Sequence, residues 1–376
     1  MSVTTPPMGW NTWNTFGENI NESLIMETCD AMIEKGLRDA GYQYIVIDDC
    51  WSERTRDADG KLKADPRKFP HGIKYLSDYV HSKGMKLGIY SCCGPKTCMG
   101  YPGSLDREYT DAKFFAENDV DYLKYDWCYH PRNLEGKTLY NRMKMALNAT
   151  GHDIVFSVCN WGQDGLLEWI RSVGGDLYRS TGDISDNFTS VKNIFHSQID
   201  NLPLSGPNCF NDLDMLVCGM NGVGNVSAGG CSFDEYKTHF SLWCMAQSPL
   251  MIGCDVRTLD DEMLELLKNP DLIAINQDRA VRPIVQCKES EDDVFSYAKM
   301  LENGDFAFAL TNYGDEVRTI RVRFAEIGLA LGGEWEFRLR DCDSGEEVGK
   351  TFTDGFSAEV GPHCTRVFRG KPVKTI

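Results

Sequence analysis

From Met1 to about Asp278 the chain repeats one pattern: a short apolar run that ends in polar or charged residues, a loop, then a stretch with helical spacing. The clearest runs are Tyr44–Asp49, Lys86–Ser91, Asp121–Asp126, Asp153–Asn160, Asp176–Thr181 and Ser248–Gly253. Their unbroken Val, Ile, Leu and aromatic character predicts strands buried on both faces, as in a parallel sheet. Between them the period changes. Over Glu22–Ala40 the residues Leu24, Ile25, Cys29, Met32, Ile33 and Leu37 recur at helical intervals, with Asn21 placed as N-cap and Gly41 just past the end. With Met8–Trp13 and a run near Asn208–Asp214 added, about eight strand–helix units fill roughly 280 residues, the scale of a (β/α)8 barrel. A doubly wound open sheet is the rival. Polar residues at the C-terminal end of nearly every strand favour the barrel, because barrels build their sites on that face.

After about Val281 apolar and polar residues alternate in short segments such as VFSYAKML, DFAFALTN and RTIRVRF, separated by Asn-Gly and Asp-Ser-Gly turn signals. The chain therefore divides into a barrel over 1–280 and a small antiparallel β domain, a sandwich, over 281–376. No Gly/Ser linker separates them, so the junction is expected to be packed.

Charge narrows the function classes. Subtracting 56 acidic from 39 basic residues leaves −17, an excess that repels phosphate backbones and anionic lipid surfaces. No stretch approaches the ~18 apolar residues of a membrane span. The start lacks a basic segment followed by an apolar one, so a cytoplasmic location is expected. The 15 cysteines sit singly in apolar runs (Cys159, Cys218, Cys244) as often as in loops, the habit of buried thiols rather than of a disulfide framework.

The carboxylates at strand ends carry the chemistry. Asp48 and Asp49 end one predicted strand, Asp126 another, Asp183 follows a third, and Asp212 and Asp214 a fourth. Each alone could cap the helix that follows. Together at one mouth they raise each other's pKa, a cost that points to function, and carboxylate pairs suit sugar hydroxyls and the cleavage of a glycosidic bond. Lys124 and Asp126, two apart on a strand, share a face, and the cation is expected to keep Asp126 ionised as a nucleophile. Asp183 is the candidate acid. Arg179, four residues earlier, would lower its pKa unless the guanidinium aims elsewhere.

Aromatics crowd the same ends: Trp10, Trp13, Trp51, Tyr90, Trp127 and Trp161. Core packing accounts for most, with Trp13 and Trp51 the candidates for a sugar-stacking platform. Cys92, Cys93, Cys98, Cys128 and His130 match no strong zinc spacing. The Gly-rich stretch Gly219–Gly230 lacks the strand, acidic partner and helix of a nucleotide loop. Neither a metal nor a cofactor is expected.

The motifs MGWNTW, IDDCW, GIYS, TCMGYPGS, YLKYDWC, RSTGDI, NDLDML and AINQD occur in this order. The chain thereby resembles glycoside hydrolase family 27, the α-galactosidases and α-N-acetylgalactosaminidases. The resemblance implies a (β/α)8 barrel with a C-terminal β domain, and a retaining double displacement with Asp126 as nucleophile and Asp183 as acid/base. It also implies Asp48 and Asp49 on the 4- and 6-hydroxyls of galactose, with Trp13, Tyr90, Lys124, Arg179 and Asp214 as further contacts. The substrate implied is an α-galactosyl oligosaccharide. Two departures stand out. Cys159-Asn160-Trp161 replaces the Cys-Glu-Trp whose glutamate helps read the 2-hydroxyl, which leaves N-acetylgalactosamine as the alternative sugar and puts Asn160 at the 2-position. Cys50 lacks its usual partner, Glu18 standing in the place of a cysteine, whereas Cys98 and Cys128 keep the positions of a second bridge beside the sugar. A catalytically silent sugar-binding barrel is the reading from a different class.

Overall fold

The computed structural model describes residues 2–287, 293–329 and 335–374. Eight parallel strands alternate with helices: β1 Met8–Asn11, α1 Glu22–Glu34, β2 Tyr44–Val46, α2 Gly72–Ser82, β3 Lys86–Cys92, α3 Glu108–Glu117, β4 Tyr122–Asp126 and α4 Gly136–Thr150. Then follow β5 Val155–Cys159, α5 Leu166–Val173, β6 Leu177–Arg179, α6 Phe188–Gln198, β7 Phe210–Asp212, α7 Phe233–Ala246, β8 Leu250–Ile252 and α8 Asp261–Leu267. The strand order β7-β6-β5-β4-β3-β2-β1-β8 is closed by a parallel bridge between Leu216, just past β7, and Ile252 of β8.

Why these strands close around a charged mouth is visible in their alternation. On β4, Tyr122, Lys124 and Asp126 share the inward face, while Leu123 and Tyr125 face the helices and join the main core. On β2 the inward series is Tyr44, Val46 and, past the strand, Asp48; on β6 it is Leu177 and Arg179. The bottom of the barrel is therefore apolar, with Tyr44, Val46, Tyr122, Val155, Leu177 and Phe210 packed together. The top is ionic.

The long helix expected over Glu22–Ala40 is broken. Gly36, at φ 76°, ends it and starts a one-turn helix Leu37–Ala40; the left-handed backbone costs glycine nothing. Asn21 caps the helix as its sequence position predicts, accepting from Leu24 N–H at 2.9 Å.

The C-terminal strands are β9 Val285–Gln286, β10 Val294–Met300, β11 Phe306–Asn312, β12 Arg318–Arg323, β13 Trp335–Asp341, β14 Glu347–Phe352, β15 Gly355–Val360 and β16 Thr365–Lys374. They form an antiparallel six-stranded sheet, β14-β13-β16-β11-β10-β9, and a pair, β12-β15, around an aromatic core that includes Phe308, Phe324, Phe337 and Phe356. This unit packs on α7. Thr238 donates to His363 C=O at 2.8 Å, and buried Lys299 donates to Met245 C=O at 3.1 Å, just inside the helix end. Burial pushes the Lys299 amine down to about 7.

Among the described residues no helix is long and apolar enough to cross a membrane.

Candidate active site

One narrow cavity of about 60 Å³ opens at the C-terminal face of the barrel, lined by Trp13, Asp48, Asp49, Tyr90, Lys124, Asp126, Arg179, Asp183 and Asp214, with Asn14, Cys98, Trp161, Met215 and Val226. At roughly 10–15 Å³ for each water position, it has room for a handful of waters.

Asp48 is fixed from three directions: Asn11 Nδ2 at 2.8 Å, Lys124 Nζ at 2.7 Å, and Asp49 N–H at 2.9 Å. Asp49 accepts from Cys50 N–H at 2.7 Å and Met99 N–H at 3.0 Å. Burial raises its carboxyl above the ordinary range. The pair is thus held in place on the cavity wall.

Asp126 differs from the sequence expectation. Lys124 does lower its pKa, but the ammonium is already engaged by Asp48, and burial of the Asp126 carboxyl dominates. Desolvation, with smaller contributions from Asp48 and Asp183, pushes it up to about 6. A hydrogen bond from Trp127 N–H at 2.8 Å fixes its Oδ1.

Arg179 settles the question its spacing left open. Its guanidinium reaches Asp183 Oδ1 at 2.7 Å and Asp214 Oδ1 at 2.8 Å. Partial desolvation by the walls works to raise the Asp183 carboxyl, but Arg179 and then Lys124 outweigh it and hold it below the usual range. Buried Asp214 is pushed up to about 6 by burial despite Arg179. It sits at φ 84°, supported by Asp212, which accepts from Asp214 N–H at 2.9 Å, and its Oδ2 accepts from Ile184 N–H at 2.7 Å, next to Asp183.

Cys98 and Cys128 form a disulfide with Cα atoms 5.1 Å apart; Cys50 is a buried free thiol. Cys98, Cys128 and Asp126 bring three metal-type ligand atoms within 4.8 Å of one another, but the two sulfurs are joined and offer no thiolate.

Two expectations are corrected. Trp51 is no platform: it is buried, stacks on Phe114 at 5.7 Å and donates to Tyr90 C=O. Asn160 is fully buried and absent from the cavity lining; its Nδ2 donates to Gln163 C=O at 2.7 Å, while its Oδ1 accepts no hydrogen bond from the described residues. Its neighbour Trp161 lines the cavity instead. Asn11 was missed although it carries the signal used for the acids, a polar residue at the end of a barrel strand. Met215 and Val226 carry no such signal, since apolar residues read as core. Val226 lies in the Gly-rich stretch, whose backbone is anchored to β1's following turn by Val226 N–H to Asn14 C=O at 3.1 Å, so that stretch forms a wall of the site.

Two carboxyls in one barrel mouth, beside a rigid acidic pair and an arginine, define a glycoside hydrolase. The family models for "Alpha galactosidase A" and for "Alpha galactosidase C-terminal beta sandwich domain" match residues 5–278 and 291–369, and the chain belongs to this α-galactosidase family. Alpha-galactosidase 2 of Arabidopsis thaliana is 46% identical over 97% of this chain and 89% of its own length. The α-galactosidase of Coffea arabica is 45% identical over 97% and 93%. The crystal structure of α-galactosidase I from Mortierella vinacea superposes with a TM-score of 0.92 at 33% identity, covering 98% of this chain and 97% of that one.

Proposed function

We propose that this chain removes terminal α-linked galactose from short oligosaccharides by a retaining double displacement. The observation that carries the reading is the convergence of Asp126, Asp183 and the Asp48–Asp49 pair on one cavity. In the first step the Asp126 carboxylate attacks the anomeric carbon, the bond to the leaving oxygen breaks, and Asp183 gives that oxygen its proton. In the second step Asp183 takes a proton from water, the water oxygen attacks the same carbon, and Asp126 is released. A related α-galactosidase from Saccharomyces cerevisiae, 31% identical with a TM-score of 0.89, has been solved with raffinose, a short oligosaccharide of the proposed kind.

The Asp48 pair favours a sugar whose hydroxyls can donate to two fixed carboxylates, and the narrow cavity favours a single terminal residue. Comparing kcat/KM on p-nitrophenyl α-galactoside and its 2-acetamido counterpart tests the sugar. Proton NMR of the first-formed product tests retention. A preference for the acetamido sugar, or release of β-galactose first, would overturn the corresponding half of the proposal.

A further inference from the structure

β7 brings two acids to the barrel interior, Asp212 at its end and Asp214 just past it, and only Asp214 lines the sugar cavity. Phe210 packs on the apolar floor, so Asp212, two residues on, points inward as well. It lines a smaller chamber of about 20 Å³ between that floor and the mouth, together with Tyr122, Lys124, Ser157 and Arg179. At roughly 10–15 Å³ for each water position, the chamber has room for one or two waters and not for a sugar.

What Asp212 does touch is the backbone of Asp214. Its Oδ1 accepts from Asp214 N–H at 2.9 Å, the two-residue reach of an Asx turn. Asp214 adopts φ 84° there, a conformation that a residue with a Cβ keeps only when its surroundings hold it. From the other side Trp243 of α7 donates to Asp214 C=O at 2.8 Å. The backbone so fixed aims a carboxylate with two tasks: Oδ1 meets Arg179 at 2.8 Å, and Oδ2 accepts from Ile184 N–H at 2.7 Å. Arg179 is the ion partner of Asp183, at 2.7 Å, and Ile184 is its chain neighbour. Register also sets Asp212 beside Arg179, which offers a rival role as counter-charge, yet the guanidinium is taken up by Asp183 and Asp214.

We propose that Asp212 is a positioning residue for the acid/base carboxyl: it closes the turn that carries Asp214, and the Asp214 carboxylate in turn holds Arg179 and the backbone beside Asp183. Asp212 acts there as a hydrogen-bond acceptor, not as a charge. This rests on the α-galactoside reading above. Asp212→Asn keeps an acceptor at the same reach and removes the charge, whereas Asp212→Glu keeps the charge and moves the acceptor one methylene away.

Asp212→Glu is expected to lower kcat/KM about ten- to hundredfold on methyl α-galactoside, whose leaving oxygen needs a proton. On p-nitrophenyl α-galactoside, whose leaving oxygen hardly does, the loss is smaller by at least about fivefold. The conservative variant Asp212→Asn rescues both to within about threefold of the parent. Equal losses on the two substrates would reduce Asp212 to a support of the fold or of binding, and an Asp212→Asn variant that loses as much as Asp212→Glu would give the role to its charge; either result overturns the proposal. Should Asp212→Glu fail to fold, Asp212→Asn decides alone, a loss beyond about tenfold on methyl α-galactoside overturning it. Amide hydrogen exchange at Asp214 needs no substrate. Faster exchange in Asp212→Glu with the parent rate in Asp212→Asn is expected, and unchanged exchange in Asp212→Glu overturns the proposal. If the unmutated protein turns over no α-galactoside, the functional reading fails while the exchange result still decides whether Asp212 holds Asp214.

Discussion

Arg179 bridges Asp183 and Asp214, at 2.7 and 2.8 Å, with the two nitrogens of a single guanidinium. The acid/base candidate is thereby held ionised in the free protein, while Asp126, which must attack as a carboxylate, is raised to about 6. The two carboxyls share one catalytic proton, and their titration belongs to the pair. The singly protonated pair exists between the depressed pKa contributed by Asp183 and the value near 6 contributed by Asp126. A bell-shaped kcat/KM profile is therefore expected, with its alkaline limb falling near pH 6. An alkaline limb above pH 8 would contradict this assignment.

Asp126 also makes the fold depend on pH. Its folded pKa of about 6 lies above an unfolded value of about 3.9, so the native state binds this proton more tightly. The stabilisation is complete below pH 4 and is lost as pH rises through 6. An asparagine side chain in the same place carries no such proton and cannot ionise. Asp126→Asn is expected to abolish turnover yet gain about 1–3 kcal/mol of stability at pH 7.5, and to show no such gain at pH 4. Thermal unfolding at the two pH values checks it; a variant less stable than the parent at pH 7.5 would count against the burial argument.

Asp183 should matter in proportion to how badly the leaving oxygen needs a proton. For Asp183→Asn a loss of about 10²–10⁴ in kcat/KM is expected on an oligosaccharide. On an aryl galactoside with a strongly acidic phenol the loss should be much smaller. Equal losses on both substrates would mean that Asp183 serves binding rather than proton transfer.

The disulfide ties the loop after β3 to the loop after β4. Met99, next to Cys98, donates to Asp49, and Cys128 lies two residues past Asp126. Replacing both cysteines with serine is expected to destabilise the protein by about 2–4 kcal/mol and to raise KM more than it lowers kcat, because the Asp49 carboxylate loses its anchor. An unchanged KM in the folded variant would show that the Asp49 contact holds without the bridge.

The parallel strands, the acids at their ends and the antiparallel C-terminal strands were all legible in the sequence, because period and polarity are local properties. Other features depend on neighbours that local patterning does not encode. Lys124 sits two residues from Asp126 on one face, as expected, yet its ammonium is held by Asp48 from a strand two places away. Asn160 has a polar side chain at the right strand end but spends its amide nitrogen on its own turn. Trp51 and Trp13 look alike in sequence; Phe114 on α3 buries the first, while the second is left at the mouth.

Because helix-facing core residues and the inward residues of the ionic mouth alternate on the same strands, pairing errors and loss of activity are coupled. Sliding β4 by one residue would turn Leu123 and Tyr125 inward and send Lys124 and Asp126 to the helices, dismantling the core and the catalytic pair in one step. A misregistered chain would thus be unable to persist as a compact, inert decoy. Any population that passes as native by its packing carries an assembled mouth, so recovered activity after refolding can serve as a direct count of correctly folded molecules.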